Sequence, residues 1–285
     1  MDGNATDRGF TPPDATDAEI DLDIGVIFTY ERNFIFPLLE TLAASGSELA
    51  MRLLLVDNAS DGVDEMFGYL PRTEVIRNEE RLGYGPNLNR ILDASSGRYV
   101  LLLNTDMLFD PGEQCLTKMV QFMDATPDCG LASCGIYHPD GAYGYPARRY
   151  PTVPMVLARR LPGLNWFGRA ARRYLYEERG PEETFDCDWV SGCFMLVRRE
   201  AYRAVGGLDP RFRKYFEDVD YARMMRQHGW RVMYHGATRC YHLEQRASKR
   251  LFSHDARLHM ASYIKWLAKW HRLIGGHASS PRRAA

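Results

Sequence analysis

No Cys-x-x-Cys pair occurs in the 285 residues, although six cysteines are present: Cys115, Cys129, Cys134, Cys187, Cys193 and Cys240. That spacing argues against a zinc site. No apolar run reaches the roughly 20 residues that a membrane-spanning helix needs. The opening residues lack the apolar core of a secretion signal. A reducing, cytosolic compartment is therefore expected, with the cysteines acting as small buried hydrophobes. Net charge is nearly absent too: 36 basic against 37 acidic side chains leave −1. The basic residues are too few and too local for a nucleic-acid footprint, so nucleic acid is not an expected partner. Internal repeats and low-complexity tracts are absent as well.

The balanced charge hides a polar layout. The first 23 residues hold seven acids and one arginine, and from Arg246 onward nine basic residues face one acid, Asp255. Residues 1–21, rich in Asp, Thr, Pro and Gly, read as a disordered acidic tail. The remainder, 45% apolar and 26% charged, has the composition of an ordinary globular enzyme. At this length one large domain with an appendage is expected.

The stretch Arg98 to Asp110, RYVLLLNTDMLFD, organises the chain. Tyr99 to Leu103 are apolar without alternation, the pattern of a parallel strand buried on both faces. The run stops at Asn104-Thr105-Asp106. A carboxylate just beyond the carboxyl end of a central parallel strand lies where open α/β sheets bind ligands, and a hard oxygen donor there suits Mg²⁺ or Mn²⁺. The alternative is that Asn104 and Asp106 only cap the turn before a helix opened by Pro111.

Other strands are predicted at Ile24–Phe28, Met51–Val56, Val75-Ile76, Gly130–Tyr137, Cys193–Val197, Arg231–Tyr234 and Arg239–His242. Helices are predicted over Phe36–Ala44, after the Gly83-Tyr84-Gly85-Pro86 turn to Leu92, Pro111–Asp124, Glu200–Val205, from Glu217 to the stop at Gly229, and Asp255–Leu273. This alternation points to an α/β fold with a mostly parallel central sheet flanked by helices and a C-terminal helical extension. Residues 139–186 break the rhythm with six prolines and eight arginines between Arg148 and Arg179. They read either as a lid over the site or as a solvated insertion. The last helix interleaves Tyr263, Trp266, Leu267 and Trp270 with Lys265, Lys269 and Arg272. It either packs on the domain or rests on the inner membrane leaflet.

Three acidic positions close strands or open a helix: Asp57, Asp106 and the Glu217-Asp218 pair. A nucleotide-binding transferase would use one acid on a base or ribose, one on a metal, and one to take a proton from a hydroxyl. Asp220, differently oriented along the same turn, reads as a helix N-terminal charge.

The ordered set VIFTYERN, LLLVDNASDG, RNEERLGYGPNLNRIL, YVLLLNTD, DWVSGCFMLVRREAYRAVGGLDPRF, YFEDVDYARMMRQHGW and CYHLEQRAS resembles the inverting family 2 glycosyltransferases of GT-A fold, above all their rhamnosyltransferase-like bacterial branch. The resemblance implies a transferase domain over 22–250, with 139–186 as an insertion and 251–285 as a basic amphipathic helix and tail. It further implies that Thr29, Tyr30 and Asp57 line the nucleobase and ribose, with Arg81, Gly83 and Asn89 bordering the nucleotide. Asn104 and Thr105 also fall on the nucleotide-sugar side. Asn104 stands where the family's metal motif has its first Asp, leaving Asp106 as the main protein ligand. His242 matches a late histidine that can complete the metal site, although a core histidine is an equal reading. Asp218 matches the general base, Glu217 its neighbour, and Trp189 and Gly192 the acceptor pocket.

The implied reaction moves a sugar, dTDP-L-rhamnose being the first donor considered, to a hydroxyl of a cell-surface glycan or lipid-linked saccharide. Mg²⁺ or Mn²⁺ would be the cofactor, and the location cytoplasmic or peripheral at the inner face of the membrane. Alternatives are a UDP-sugar transferase for a hexose, N-acetylhexosamine or galactofuranose, and a non-catalytic nucleotide- or glycan-binding relative, for which Asn104 and Pro86-Asn87 leave room. A nicotinamide-dependent oxidoreductase is disfavoured because TYERN stands where Gly-x-Gly-x-x-Gly would follow the first strand.

Overall fold

The computed structural model describes residues 20–45, 48–152, 155, 165–243 and 254–271. The acidic stretch 1–19, the segment 244–253 and the tail 272–285 lie outside the described residues. So does most of 153–164, on which the lid reading partly rests.

Among the described residues, eleven strands and seven α-helices follow in chain order. They are β1 (Leu22–Phe28), α1 (Arg32–Ala44), β2 (Met51–Asp57), β3 (Thr73–Arg77), α2 (Tyr84–Ala94), β4 (Tyr99–Leu103), β5 (Met107–Leu108), α3 (Cys115–Ala125), β6 (Cys129–Tyr137), β7 (Ala147–Arg148) and α4 (Asn165–Tyr174). There follow β8 (Thr184–Asp186), β9 (Trp189–Val190), β10 (Phe194–Arg198), α5 (Arg199–Val205), α6 (Glu217–Gln227), β11 (Arg231–His242) and α7 (His254–His271).

The main sheet runs β3-β2-β1-β4-β10-β6-β11-β5, with β8 added on β11. Strands β1 to β4 pair in parallel. The chain winds outward from β1 to β3 and returns to β4 on the other side, so the topological switch lies between β1 and β4. Strand β10 enters antiparallel to both β4 and β6. Its first residue, Phe194, therefore lies opposite the last residue of β4, Leu103. Strand β4 is buried on both faces: Tyr99, Leu101 and Leu103 enter one core, and Val100 and Leu102 the other. Two-sided burial explains why the strand reads as a continuous apolar run.

Three local differences from the sequence reading have physical causes. The two strands predicted within 231–242 are one strand, β11, whose register on β6 shifts between His235 and Arg239. The helix expected from Pro111 starts at Cys115, because Pro111–Glu113 form a 3-10 turn and Gln114 sits at φ +52°. Asp220 is fully buried and paired to Lys269 rather than serving as a simple terminal charge. Within 139–186, β7 pairs with β9 and β8 with β11, so these strands of the excursion belong to the sheets. All six cysteines are buried and free. On α7, Tyr263, Trp266 and Trp270 are buried in the core that also holds Phe216 and Val219, so its aromatic stripe packs on the domain.

Candidate functional site

The carboxyl ends of β1, β2 and β4 lie at one edge of the sheet, together with the start of the antiparallel β10, and the N-terminus of α6 meets that edge where Asp218 touches Gly192. On the β1–β2 side, Asp57 is 5% exposed. One of its oxygens accepts from the Ser60 N–H at 2.8 Å and the Ser60 hydroxyl at 2.7 Å, and the other from Arg77 at 3.0 Å. Beside it the Asn58 amide donates to Thr29 Oγ1 at 3.1 Å, and Asn58 Oδ1 accepts from Leu82 N–H at 2.8 Å. Asn78 links Asn58 to Asn87 through its amide. This buried chain of side-chain amides fixes the loops after β1, β2 and β3 relative to one another. Tyr30, half exposed and at φ +70°, carries the Arg81 guanidinium 4.9 Å from its ring centroid. The pair forms a partly exposed aromatic and cationic contact after β1.

Gly83 precedes α2 where a Cβ would meet the Arg213 carbonyl at 2.7 Å, so only glycine allows this approach. Asn89 Oδ1 accepts from Leu208 N–H at 2.7 Å and its Nδ2 donates to Leu208 C=O at 2.8 Å. Both ends of the amide thus clamp the turn after α5, which ties α2 to that turn.

At the end of β4 the Asn104 side chain accepts from the Tyr84 hydroxyl at 2.7 Å, and its N–H donates to Cys193 C=O at 3.1 Å. Thr105 forms the turn between them and Asp106. Asp106 Oδ1 lies 3.1 Å from His242 Nε2, because β5 pairs with the end of β11. His242 is therefore brought to the Asp106 carboxylate from 136 residues away.

The opposite wall is built on α6. Tyr215 and Phe216 both occupy left-handed backbone, at φ +68° and +70°, just before the helix starts at Glu217. Two consecutive non-glycine residues in that region store strain, which is common where a side chain must be aimed. Asp218 Oδ2 accepts from Gly192 N–H at 2.9 Å and Oδ1 from Val219 N–H at 2.8 Å. A Cβ on Gly192 would sit 3.3 Å from that Oδ2. Burial raises the pKa of Asp218 above the ordinary carboxylate value, while the two N–H donors and the Arg148 charge oppose the shift. Glu217 is 6% exposed, and its Oε2 has no hydrogen-bond partner among the described residues. Burial first, and then the Asp218 charge, push its pKa well above the ordinary carboxylate value. Trp189 packs under the Arg148 guanidinium at 5.1 Å and donates from Nε1 to Arg149 C=O at 2.8 Å.

Two residues that carry this geometry were not singled out from the sequence. The Tyr84 hydroxyl lies within hydrogen-bond reach of two acceptors, Asn104 Oδ1 at 2.7 Å and Gly192 C=O at 3.0 Å. Burial raises its pKa far above the ordinary value, and the charges of Glu217, Asp218 and Asp106 raise it further. One hydroxyl thus feels acids from both walls. Arg148 is the second: it acts on Asp218 and, with Asp106 and Asp218, on the buried thiol of Cys193, whose pKa is pushed up to about 11 mainly by burial. Tyr84 is recognisable only as part of a Gly-Tyr-Gly-Pro turn, and Arg148 only as one of eight arginines in the excursion.

Among the described residues no three His, Cys, Asp or Glu side chains cluster to hold an ion. Asp106 and His242 supply one carboxylate and one imidazole. That donor set fits Mn²⁺ or Mg²⁺ in a site that takes its remaining ligands from waters and substrate phosphates.

The sequence model described as glycosyl transferase family 2 matches residues 24–206. The chain is 29% identical over 245 residues to the N-acetylglucosaminyl-diphospho-decaprenol L-rhamnosyltransferase of Mycobacterium tuberculosis, covering 80% of this chain and 79% of the relative. Among solved structures, GalNAc-T7 with UDP, GalNAc and Mn²⁺ superposes with a TM-score of 0.64 at 13% identity, over 89% of this chain and 50% of that one. The mannosyltransferase PcManGT of Pyrobaculum calidifontis, in complex with GDP-Man and Mn²⁺, gives 0.59 at 18% identity over 92% and 68%. At these identities the two structures bear on the fold alone. The chain spans half the length of the first.

Proposed function

The chain belongs to glycosyl transferase family 2, and on that premise we propose that it is an inverting enzyme transferring a sugar from a nucleotide-diphosphate donor to a hydroxyl of a glycan or lipid-linked saccharide. The donor is dTDP-L-rhamnose and the acceptor a saccharide on a polyprenyl diphosphate. The rhamnosyltransferase name and lipid-linked substrate of the Mycobacterium tuberculosis relative support this choice.

The β1–β2 wall, with Asp57, Thr29 and the Tyr30–Arg81 edge, binds the nucleoside. Asp106 and His242 are the residues that would hold a divalent cation on the diphosphate. Such an ion, when bound, offsets the negative charge that builds on the leaving group. From the other wall, Asp218 accepts the proton of the acceptor hydroxyl as its oxygen bonds to the anomeric carbon and the bond to the diphosphate breaks. The sugar passes through an oxocarbenium-like state, and one displacement inverts the centre without a protein nucleophile. Trp189 and Arg148 form the acceptor floor. Glu217, whose pKa burial raises, stands beside the base at the start of the same helix.

The observation that carries the reading is that Asp218 accepts from the Gly192 N–H at 2.9 Å while the next carbonyl, of Cys193, accepts from the Asn104 N–H at 3.1 Å, two residues before Asp106. A lipid-linked acceptor would bring the protein to the inner face of the membrane without a spanning helix. Among the described residues no helix is long and apolar enough to cross.

The test incubates the full chain with an N-acetylglucosaminyl-diphosphoprenol acceptor and dTDP-L-rhamnose, UDP-N-acetylglucosamine, a UDP-hexose or UDP-galactofuranose, with Mn²⁺ or with chelator. The expected product gains one deoxyhexose, from dTDP-L-rhamnose only, and disappears on chelation. Nucleotide binding without product from any donor would instead mark a non-catalytic relative.

A further inference from the structure

Helix α7 follows the span that the family sequence model matches, and it grips the segment that carries Asp218. Trp270 Nε1 donates to Asp220 Oδ1 at 2.7 Å, and Lys269 Nζ donates to Asp220 Oδ2 at 2.6 Å. Asp220 is fully buried, two positions beyond Asp218 on the same first turn. Lys269 also reaches Asp209 at 2.9 Å, in the loop before α6. The Phe216 ring packs on Tyr263 at 5.5 Å and on Trp266 at 6.1 Å. The Ser262 hydroxyl donates to Lys214 C=O at 3.0 Å.

These contacts meet a local need. Helix α6 starts at Glu217, its N-cap residue Phe216 makes no side-chain cap hydrogen bond, and Tyr215 and Phe216 before it are both left-handed. An uncapped helix end leaves its first N–H groups without partners and tends to fray. A proton acceptor must nevertheless hold its geometry within a fraction of an ångström. The buried carboxylate of Asp220, ion-paired and hydrogen-bonded from α7, anchors the first turn from outside in place of a local cap.

We propose that α7 is a positioning element for the acceptor side, with Trp270 and Lys269 acting through Asp220 to hold Asp218 against Gly192. The catalytic consequence rests on the reading of Asp218 as the base, whereas the structural part does not.

The test uses the full chain and Trp270→Phe, which keeps an aromatic ring but loses the N–H donor. Hydrogen exchange is followed by mass spectrometry. Peptides containing Gly192 and Asp218–Asp220 are expected to exchange about tenfold faster, while Leu22–Phe28 and Met51–Asp57 are unchanged. In transfer assays kcat is expected to fall about tenfold with donor KM held within about twofold. Lys269→Met is expected to do the same and Lys269→Arg to restore the rate. In an Asp218→Asn background, Trp270→Phe is expected to add no further loss, because it acts through the missing base. Unchanged exchange at Gly192, loss of protection throughout the sheet, or an equal further loss in the Asp218→Asn background would each overturn the proposal. Should the unaltered chain transfer no sugar, the transferase reading fails, and the exchange comparison alone decides whether α7 holds this turn.

Discussion

The Gly192 N–H donates to Asp218 Oδ2 at 2.9 Å, joining chain segments 26 residues apart. Gly192 in turn leads into β10, which lies antiparallel to β4, and the adjacent Cys193 carbonyl accepts from Asn104 N–H. The carboxylate proposed as the base is thus registered, through two backbone hydrogen bonds, against the strand end that carries Asn104 and Asp106.

That register makes Gly192 sensitive to a single methyl group. A Cβ there would lie 3.3 Å from Asp218 Oδ2 and 3.5 Å from its Cβ. Gly192→Ala is expected to lower kcat by about 10- to 100-fold through displacement of the carboxylate. Calorimetric affinity for the nucleoside diphosphate should stay unchanged, since that wall is untouched.

The acidic limb of the pH–rate profile should report Asp218. Its pKa is raised above the ordinary carboxylate value by burial, so transfer is lost as pH falls through that raised value. Arg148 opposes the shift. Arg148→Gln is therefore expected to move the limb to higher pH in a plot of kcat/KM. A limb that stays still or moves down would separate Arg148 from the base.

Glu217 gives a stability signature of defined sign. Its folded-state pKa lies well above the unfolded value. Its contribution to stability is fully present below the unfolded pKa of about 4.3 and is lost as pH rises through the folded one. Glu217→Gln lacks this loss. Its thermal midpoint relative to the unaltered chain should rise steadily as pH is raised, and a constant difference would contradict the assignment.

Much of this arrangement can be read from residue order, and part of it cannot. The apolar run Tyr99–Leu103 ending in Asn104-Thr105-Asp106 is legible because a strand buried on both faces cannot alternate. Asp57 and Glu217-Asp218 stand out because they recur at strand ends and a helix start within an ordered set of motifs, although each alone also reads as a turn or helix cap. What joins them is tertiary. The antiparallel entry of β10 beside β4 leaves no mark in the Cys193–Val197 pattern, so the contacts of Tyr84 and Arg148 could not be foreseen. The two hydrogen bonds of the Asn89 amide to Leu208 are likewise invisible in the motif, because they join α2 to the loop after α5 across 119 residues. Asp220 looked like a terminal helix charge because its partners, Lys269 and Trp270, lie some 50 residues downstream.

Asp23 tests the scaffold apart from the chemistry. It is fully buried at the start of β1 and accepts from Arg52 at 2.8 Å and from the Ser96 and Gly97 N–H groups at 2.7 Å each. Removing one side of a buried ion pair leaves the other charge and these donors unsatisfied. Asp23→Ala is expected to cost about 3–5 kcal/mol in denaturant unfolding.

The most direct measurement is transfer by Asp218→Asn beside its nucleotide affinity. Asn keeps the size of the side chain and one oxygen for the Gly192 N–H, but it cannot take a proton. The expected result is a loss of about 10³-fold in kcat with nucleoside diphosphate affinity unchanged. Near-normal turnover in this variant would contradict the assignment of Asp218 as the base, and with it the division of the cleft into donor and acceptor walls.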